Sequence, residues 1–233
     1  MVSVRVRSFL VALVALTLSF AGLTGAARAD SLSVDFDSGP AVGSVIGDDY
    51  LASSFVKWLP ADAGFRPERR LDAAQARSGS YVADVGASTC QDQGFDSIGC
   101  EFPHIGSYAH LTRTATTVTL YAGLFTVSPN IGVRLTGYNA AGTVVATSAV
   151  VPLPTSSLGS IATKRGQQGR AVIKLPPPKF TTPVSITSSA GDIASFRFEA
   201  VDTTDPDNGS AAIGADIGYD DLTLDFPLHS LPD

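Results

Sequence analysis

The residues best suited to chemistry in this sequence are aspartates near its two ends. Asp35 and Asp37 lie in the run VDFDSG, and Asp220 and Asp221 lie in GYDDLTLDF. Asp220 is followed at intervals of two residues by Leu222, Leu224 and Phe226. Alternate residues of a strand face the same side, so the pattern predicts that the Asp220 carboxylate points into the core with them. A buried carboxylate needs a partner. A calcium ion held by oxygens of these four aspartates would supply one. Alternatively, Asp220 caps a turn or pairs with an arginine or a tyrosine, and the other three are solvated.

A second oxygen-rich stretch, DTTDPDNGS, contains Asp202, Asp205, Asp207 and Asn208. It lacks the D-x-[DN]-x-[DN]-G spacing of a helix-flanked calcium loop. The same residue types form ordinary turns, and we interpret the stretch as a turn. The tripeptide NGS that starts at Asn208 matches the acceptor pattern for N-glycosylation.

Catalytic motifs are absent from the sequence. It contains no H-E-x-x-H, no G-x-x-x-x-G-K-[ST] and no G-x-G-x-x-G. Glu101, His104 and His110 lie close together in the chain and form either an acid–base or metal-binding group or, as we interpret them, a polar loop. Glu199 lies within a predicted strand on its polar side, where paired carboxylates of a glycoside hydrolase would be found. The sequence therefore assigns no catalytic residue and favours a protein without catalysis.

Four aromatic residues are candidates for ligand contact. Trp58, the only tryptophan, shares parity with Val56 in a strand that should be half buried, which favours packing in the core over stacking on a sugar. Tyr50, Tyr108 and Tyr138 lie near strand ends and loops. We predict that these three tyrosines form an exposed platform for a ligand.

The chain has two cysteines, Cys90 and Cys100. In an exported protein they should form a disulfide, because the compartment is oxidising. Closing so short a loop contributes roughly 2–3 kcal/mol. A catalytic thiol and a zinc site that includes His104 are the alternatives, and the zinc site requires reduced sulfur.

The elements that position these residues are predicted to be strands. Apolar residues alternate with polar ones in many short runs separated by Gly, Pro, Ser and Asp. The predicted strands cover residues 32–36, 54–58, 81–85, 108–113, 117–125, 131–138, 143–151, 170–175, 193–201 and 222–226. The one helical candidate, residues 68–77, is equally consistent with an irregular loop. The pattern predicts an all-β fold, a single antiparallel β-sandwich of jelly-roll type with little or no helix.

The first 29 residues have the features of a secretory signal peptide. Arg5 and Arg7 precede an apolar run, and A-R-A at 27–29 matches a cleavage site. We predict a signal peptide over residues 1–29, then one domain over residues 30–233 with a short frayed C-terminal tail. The predicted location is secreted and extracellular, without membrane attachment after cleavage.

The charge of the chain argues against nucleic-acid binding. The full sequence has 16 basic and 22 acidic side chains, for a net charge of −6. Three arginines lie in the predicted signal peptide, so the mature chain would have 13 basic against 22 acidic side chains, for a net charge of −9. Such a chain repels phosphate backbones and anionic membranes. The sequence gives no indication of the oligomeric state.

The ends and the middle of the mature chain resemble a known class of modules. The start LSVDFDSGPAVGSVIGDDYLASSFVKW, the hairpin-like VRLTGYNAAGTVVATSAVV and the closing IGYDDLTLDF resemble secreted bacterial β-jelly-roll modules of the galactose-binding-like and carbohydrate-binding type. The resemblance implies binding of sugars and a structural calcium where the first and last strands meet. The chain departs from the class in having a single tryptophan, because sugar platforms usually expose several.

These observations predict an exported, non-catalytic binding module for glycans or other cell-surface ligands. One alternative is a secreted hydrolase that acts on polysaccharides through carboxylates on a concave sheet. Another is a structural or adhesive surface protein that recognises other proteins through its sheet.

Overall fold

The structure is a computed structural model that describes residues 30–59, 66–86, 93–94, 105–125, 130–154, 179–206 and 216–227. Several sequence predictions lie outside the described residues. They are the signal peptide over 1–29, the Cys90–Cys100 disulfide, Glu101, His104, Asp207, Asn208, the strand at 170–175 and the tail over 228–233.

The described residues form twelve strands and one short helix. In chain order they are β1 (Ser31–Val34), α1 (Leu51–Ser54), β2 (Val56–Trp58), β3 (Glu68–Leu71), β4 (Tyr81–Asp84), β5 (Gly106–Ala115), β6 (Thr117–Leu124), β7 (Ile131–Tyr138), β8 (Val144–Thr147), β9 (Val151–Pro152), β10 (Thr182–Thr187), β11 (Ile193–Asp202) and β12 (Ile217–Asp225). In this part of the chain, no helix has the length and apolar character needed to cross a bilayer.

The strands form two antiparallel sheets, which confirms the predicted fold class. Sheet 1 has the order β10-β6-β12-β4-β3, and β1 pairs with β12 beyond the end of β4. Sheet 2 has the order β2-β5-β11-β7-β8, and β9 also pairs with β7. Strands β5, β6 and β7 alternate between the sheets, as do β10, β11 and β12. This alternation makes the molecule a β-sandwich of jelly-roll type.

The core lies between the inner faces of the two sheets. The alternating apolar residues predicted to face inward on β6 and β11 are buried there, namely Val118, Leu120, Ala122, Leu124, Phe196 and Phe198. Trp58 is also buried, as predicted, and its Nε1–H donates to the Tyr219 hydroxyl at 2.7 Å. That hydroxyl lies 3.1 Å from the Ser107 hydroxyl. The two sheets are therefore joined by satisfied polar groups as well as by apolar contact.

The segment at 68–77 is a strand followed by turns rather than a helix. β3 begins it, and Arg69 on β3 is buried. The Arg69 guanidinium donates to the carbonyls of Phe36, Asp37 and Pro40, and it lies 3.7 Å from the ring centroid of Tyr81. These contacts fix the start of the segment against the loop that follows β1, and antiparallel pairing with β4 makes it a strand.

A β-bulge in β12 overturns the predicted orientation of Asp220. Tyr219 pairs with Ala122 and Asp220 with Tyr121, but the register then shifts before Thr223. Asp221 occupies the bulge with a left-handed φ of 48°. Because the bulge adds one residue, the positions that face the core change across it. Tyr219 faces the core before the bulge, and Leu222 and Leu224 face it afterwards. Asp220 is fully buried, yet it lies on the outer face of sheet 1 and not in the core.

Candidate ligand-binding face

The outer face of sheet 2 carries the main group of polar and aromatic side chains. Strand β11 lies in the middle of the sheet, with β5 on one side and β7 on the other. Its inward positions hold Phe196 and Phe198, so Ser195, Arg197 and Glu199 take the outward positions. We call this surface, formed by β5, β11 and β7, the polar face.

Two of the three predicted tyrosines meet on the polar face. Tyr108 lies opposite Arg197 on β5, and Tyr138 lies opposite Ser195 on β7. The strands that carry them are two strand spacings apart, about 10 Å, but their ring centroids are only 6.2 Å apart. The rings therefore lean towards each other over β11. The Tyr108 hydroxyl donates to the Ser195 hydroxyl at 2.7 Å, and both rings are half-buried.

Glu199 lies beside the tyrosine pair and is held by two arginines. Nε of Arg134 donates to Oε1 of Glu199 at 2.7 Å, and Nη2 of Arg134 lies 2.7 Å from the same oxygen. Nε of Arg197 lies 3.2 Å from Oε2. The Glu199 side chain is only 5 % exposed, whereas those of Arg134 and Arg197 are 30 % and 21 % exposed. The carboxylate is thus below the surface, and the two guanidinium groups reach it.

Burial raises the pKa of the Tyr138 hydroxyl, against the opposing effect of the nearby Arg197 guanidinium, which also hydrogen-bonds to it. The phenol therefore stays protonated at neutral pH and keeps a donor as well as an acceptor. His110, the one histidine among the described residues, is exposed on the same face opposite Ser195. The polar face thus combines two aromatic rings with hydroxyl and guanidinium donors.

Tyr50 does not belong to this face, so its predicted exposure was wrong. It is 4 % exposed and its ring packs against Phe36 and Trp58, with centroid separations of 5.6 and 5.8 Å. Its hydroxyl donates to the carbonyl of Ser38, which allows a tyrosine to be buried at this position. Burial raises the pKa of Tyr50 to about 12.

The predicted calcium ligands lie at the other sheet, beside the loop over residues 72–80. Oδ2 of Asp220 accepts the backbone N–H groups of Arg77 at 2.8 Å and Ser78 at 3.1 Å, and Oδ1 accepts that of Asp221 at 2.8 Å. Asp221 accepts the Arg77 guanidinium at 2.7 Å and the Ser78 hydroxyl at 2.5 Å. Asp37 accepts the backbone N–H of Ser80 at 2.8 Å.

This donor set does not fit a calcium ion. Hydrogen-bond donors and a guanidinium cation already face Asp220 and Asp221, where a calcium shell needs further oxygens. Asp35 contacts the backbone N–H of Asp37, not the carboxylates of β12. Among the described residues, no three acidic, histidine or cysteine side chains are grouped so as to hold a metal. The hydrogen bonds already satisfy Asp220 without an ion. Calcium binding by the four aspartates is a prediction from the sequence that the contacts of Asp220 do not favour.

The described part of the second acidic stretch forms a turn, as interpreted. Oδ1 of Asp202 accepts the backbone N–H of Thr204 at 2.8 Å and its hydroxyl at 2.7 Å. These bonds lower the pKa of Asp202. Asp202 thus acts as a local turn residue.

Sequence reasoning missed Arg134 as a member of the polar face. Its outward parity on β7 was readable, because Val133 and Leu135 flank it as apolar neighbours. The alternation within β7 does not reveal that β7 pairs with β11. That pairing places Arg134 opposite Glu199. Strand order, and not local periodicity, brings these two residues together.

Comparisons with known proteins find solved structures of similar fold, and they identify no family for this chain. No family model matches the chain, and no curated protein matches it. Among solved structures, the chain is similar to the cleaved K2 adhesin domain of Lys-gingipain, with 14 % identity and a TM-score of 0.46 over 84 % of this chain and 98 % of that one. It is also similar to the CBM22-1 xylan-binding domain of Paenibacillus barcinonensis Xyn10C, with 12 % identity and a TM-score of 0.37 over 85 % of this chain and 96 % of that one. The class of this protein, an antiparallel β-sandwich, therefore rests on its own described strands.

Proposed function

We propose that this protein is an exported, non-catalytic module that binds glycans through the polar face of sheet 2. The observation that carries the proposal is the half-buried pair Tyr108 and Tyr138, with ring centroids 6.2 Å apart beside hydroxyl and guanidinium donors. Export through the predicted signal peptide would place this face in contact with extracellular polysaccharide.

A sugar ring presents apolar C–H groups on its flat faces and hydroxyl groups around its edge. Aromatic rings offer a flat apolar surface, and tyrosine adds a polar tip. Binding sites for such ligands combine aromatic area with a few placed polar groups. Tyr108 and Tyr138 supply the first, and their hydroxyl groups and the partly exposed guanidinium of Arg134 supply the second. A surface of this composition suits a ligand that is apolar on one side and rich in hydroxyl groups at its edge.

The contacts of Glu199 favour binding over hydrolysis. A glycoside hydrolase of the common type needs two carboxyl groups about 5–10 Å apart, one of them able to donate a proton. Glu199 is buried, and its ion pairs are with Arg134 and Arg197. Both oxygens of Glu199 face guanidinium groups below the surface, so this carboxylate positions its arginine partners and does not reach a bound ligand.

The proposal can be tested by affinity electrophoresis and calorimetry of the secreted protein against a panel of soluble polysaccharides. We expect binding to at least one of them. Tyr108→Ala and Tyr138→Ala should each weaken it roughly tenfold or more, because each removes an aromatic ring from the contact.

Tyr121→Ala is the matched control, because Tyr121 is a partly exposed tyrosine on β6, on the outer face of the other sheet. It should leave binding unchanged, and the melting temperature of every variant should be measured alongside. Binding that is equally weakened by Tyr121→Ala, or unaffected by both polar-face variants, would refute the polar face as the glycan site.

A further inference from the structure

Tyr108 and Tyr138 are the one pair of tyrosines in the described part of the chain whose rings contact each other. Both rings are half-buried, so each has a part that solvent reaches. The other four tyrosines are either buried in the core or covered on one face by a guanidinium group, namely Tyr50, Tyr219, Tyr81 and Tyr121. A soluble reagent that reaches the polar face therefore meets two phenols that already lie in contact.

The two rings reach over β11 from opposite sides. Tyr108 lies opposite Arg197, yet its hydroxyl donates to the Ser195 hydroxyl at 2.7 Å. Tyr138 lies opposite Ser195, yet its hydroxyl accepts a hydrogen bond from Arg197. The rings therefore lean past each other, with their centroids 6.2 Å apart. A covalent bond between them needs a closer approach, and their partial exposure leaves room for it, because surface side chains move within nanoseconds.

This contact favours a reaction between the two phenols of one molecule. Two groups that the fold holds together react at an effective concentration far above that of any dilute protein solution. Tyrosines on separate molecules meet by diffusion alone. Oxidation of Tyr108 and Tyr138 in dilute protein should therefore couple them within the chain, and the new bond would tie β5 to β7 over the strand that separates them.

We propose that Tyr108 and Tyr138 are a site of oxidative modification, where hydrogen peroxide and a haem peroxidase join the two rings as dityrosine. Each phenol gives up one electron and its hydroxyl proton, and the two phenoxyl radicals form a carbon–carbon bond between positions ortho to their oxygens. The hydrogen on each of these carbons then moves to the neighbouring oxygen, which restores both phenols. One peroxide takes up the two electrons and two protons and becomes two waters. This inference goes beyond the proposed function and does not require a glycan.

The test treats dilute secreted protein with hydrogen peroxide and a haem peroxidase, and follows dityrosine fluorescence and the mass of the monomer. We expect a fluorescent monomer that has lost two hydrogen atoms, and a digest in which the peptides of Tyr108 and Tyr138 are joined. Tyr108→Phe and Tyr138→Phe should each abolish this product, because phenylalanine has no phenol to oxidise. Both variants keep the aromatic ring, and their melting temperatures should confirm that they fold.

Tyr121→Phe is the matched control, because it removes a partly exposed phenol from the other sheet. It should leave the yield of cross-linked monomer unchanged. A monomeric product that persists in Tyr138→Phe, or dityrosine that forms between molecules alone, would overturn the inference. So would the absence of dityrosine from the wild type under conditions that couple N-acetyltyrosine in a parallel reaction. None of these results bears on the proposed function, since no polysaccharide is present.

Discussion

Asp220 is a carboxylate enclosed by backbone N–H groups. It is fully buried on the outer face of sheet 1, with donors from Arg77, Ser78 and Asp221. Burial raises its pKa to about 6, and the three N–H groups oppose that rise. The native state therefore holds the protonated acid more readily than the unfolded chain does, where an aspartate has a pKa of 3.8.

The raised pKa of Asp220 predicts the sign of a pH effect. Because the folded value exceeds the unfolded one, the stabilising contribution of this group is complete below about pH 4 and is lost as pH rises through about 6. The difference in unfolding free energy between the wild type and Asp220→Asn should therefore be more favourable to the wild type at pH 4.5 than at pH 7, by roughly 1–2 kcal/mol. Urea unfolding at the two pH values measures it.

Asp225→Asn is the control for that experiment, because Asp225 lies on the same strand and is partly exposed. It removes one carboxylate from the same strand, so the pH effect of Asp220→Asn is measured relative to it. A difference for Asp220→Asn that moves in the opposite direction would contradict the raised pKa.

The alternation of apolar and polar residues assigned the correct face of the sheet on β11 and the wrong face for Asp220. It correctly put Phe196 and Phe198 inside and Arg197 and Glu199 outside, because β11 keeps a strict two-residue alternation over those positions. It failed for Asp220 because the sequence pattern contains no mark of the bulge at Asp221. A non-glycine residue with positive φ is uncommon, so periodicity does not predict one.

At the scale of elements, the loop over residues 72–80 explains why sheet 1 has a second, smaller core. Ala76, Val82 and Phe180 are buried together, and the partly buried Phe125 packs against them. Nε2 of Gln75 donates to the carbonyl of Leu124 at 2.7 Å, and the Phe180 N–H donates to the carbonyl of Gln75 at 2.7 Å. The loop that encloses Asp220 is thus attached to β6 and to Phe180.

Gly123 on β6 is the position where this attachment is tightest. A Cβ at Gly123 would lie 2.0 Å from Cδ1 of Phe180. Gly123→Ala should therefore displace the Phe180 ring and lower the unfolding free energy by about 1–3 kcal/mol, as overpacking does. Urea unfolding measures the change.

A double-mutant cycle separates the clash from a general strand effect. In a Phe180→Ala background the added methyl has room, so Gly123→Ala should cost little there. An equal cost in both backgrounds would show that contact with Phe180 is not the cause.

Most of the strands were predicted correctly from the sequence, but some were missed. Alternation predicted β6 and β7 closely, because both lie against the core for their whole length. It missed β3 and β10, whose sequences ERRL and TPVSIT contain charge or proline. Both are outermost in the order of sheet 1, where one side needs no ladder partner and such residues are tolerated.

On the scale of the whole molecule, the outer faces of the two sheets differ in what covers them. Part of sheet 1 lies under the loop over residues 72–80, which Arg77 holds by its contacts with Asp221 and with the ring of Tyr121, 3.5 Å from its centroid. The middle of sheet 2 presents half-buried tyrosines and partly exposed arginines. The sequence could predict a sandwich, but not which outer face would carry the tyrosines and arginines together, since that depends on strand order. Export and the Cys90–Cys100 disulfide remain predictions from the sequence.

A calcium site at Asp220 would make the melting temperature of the whole molecule depend on calcium. If calcium bound the native state at Asp220, chelation would lower the melting temperature and added calcium would restore it, by about 2.7 kcal/mol at a hundred times the dissociation constant. The contacts of Asp220 favour the other outcome, because donors already satisfy both of its oxygens. We therefore expect the same melting temperature at pH 7 with chelator as with calcium or magnesium. A chelator-dependent decrease that calcium reverses better than magnesium, and that Asp220→Asn abolishes, would instead establish the calcium site. The same decrease persisting in Asp220→Asn would place the ion elsewhere in the chain.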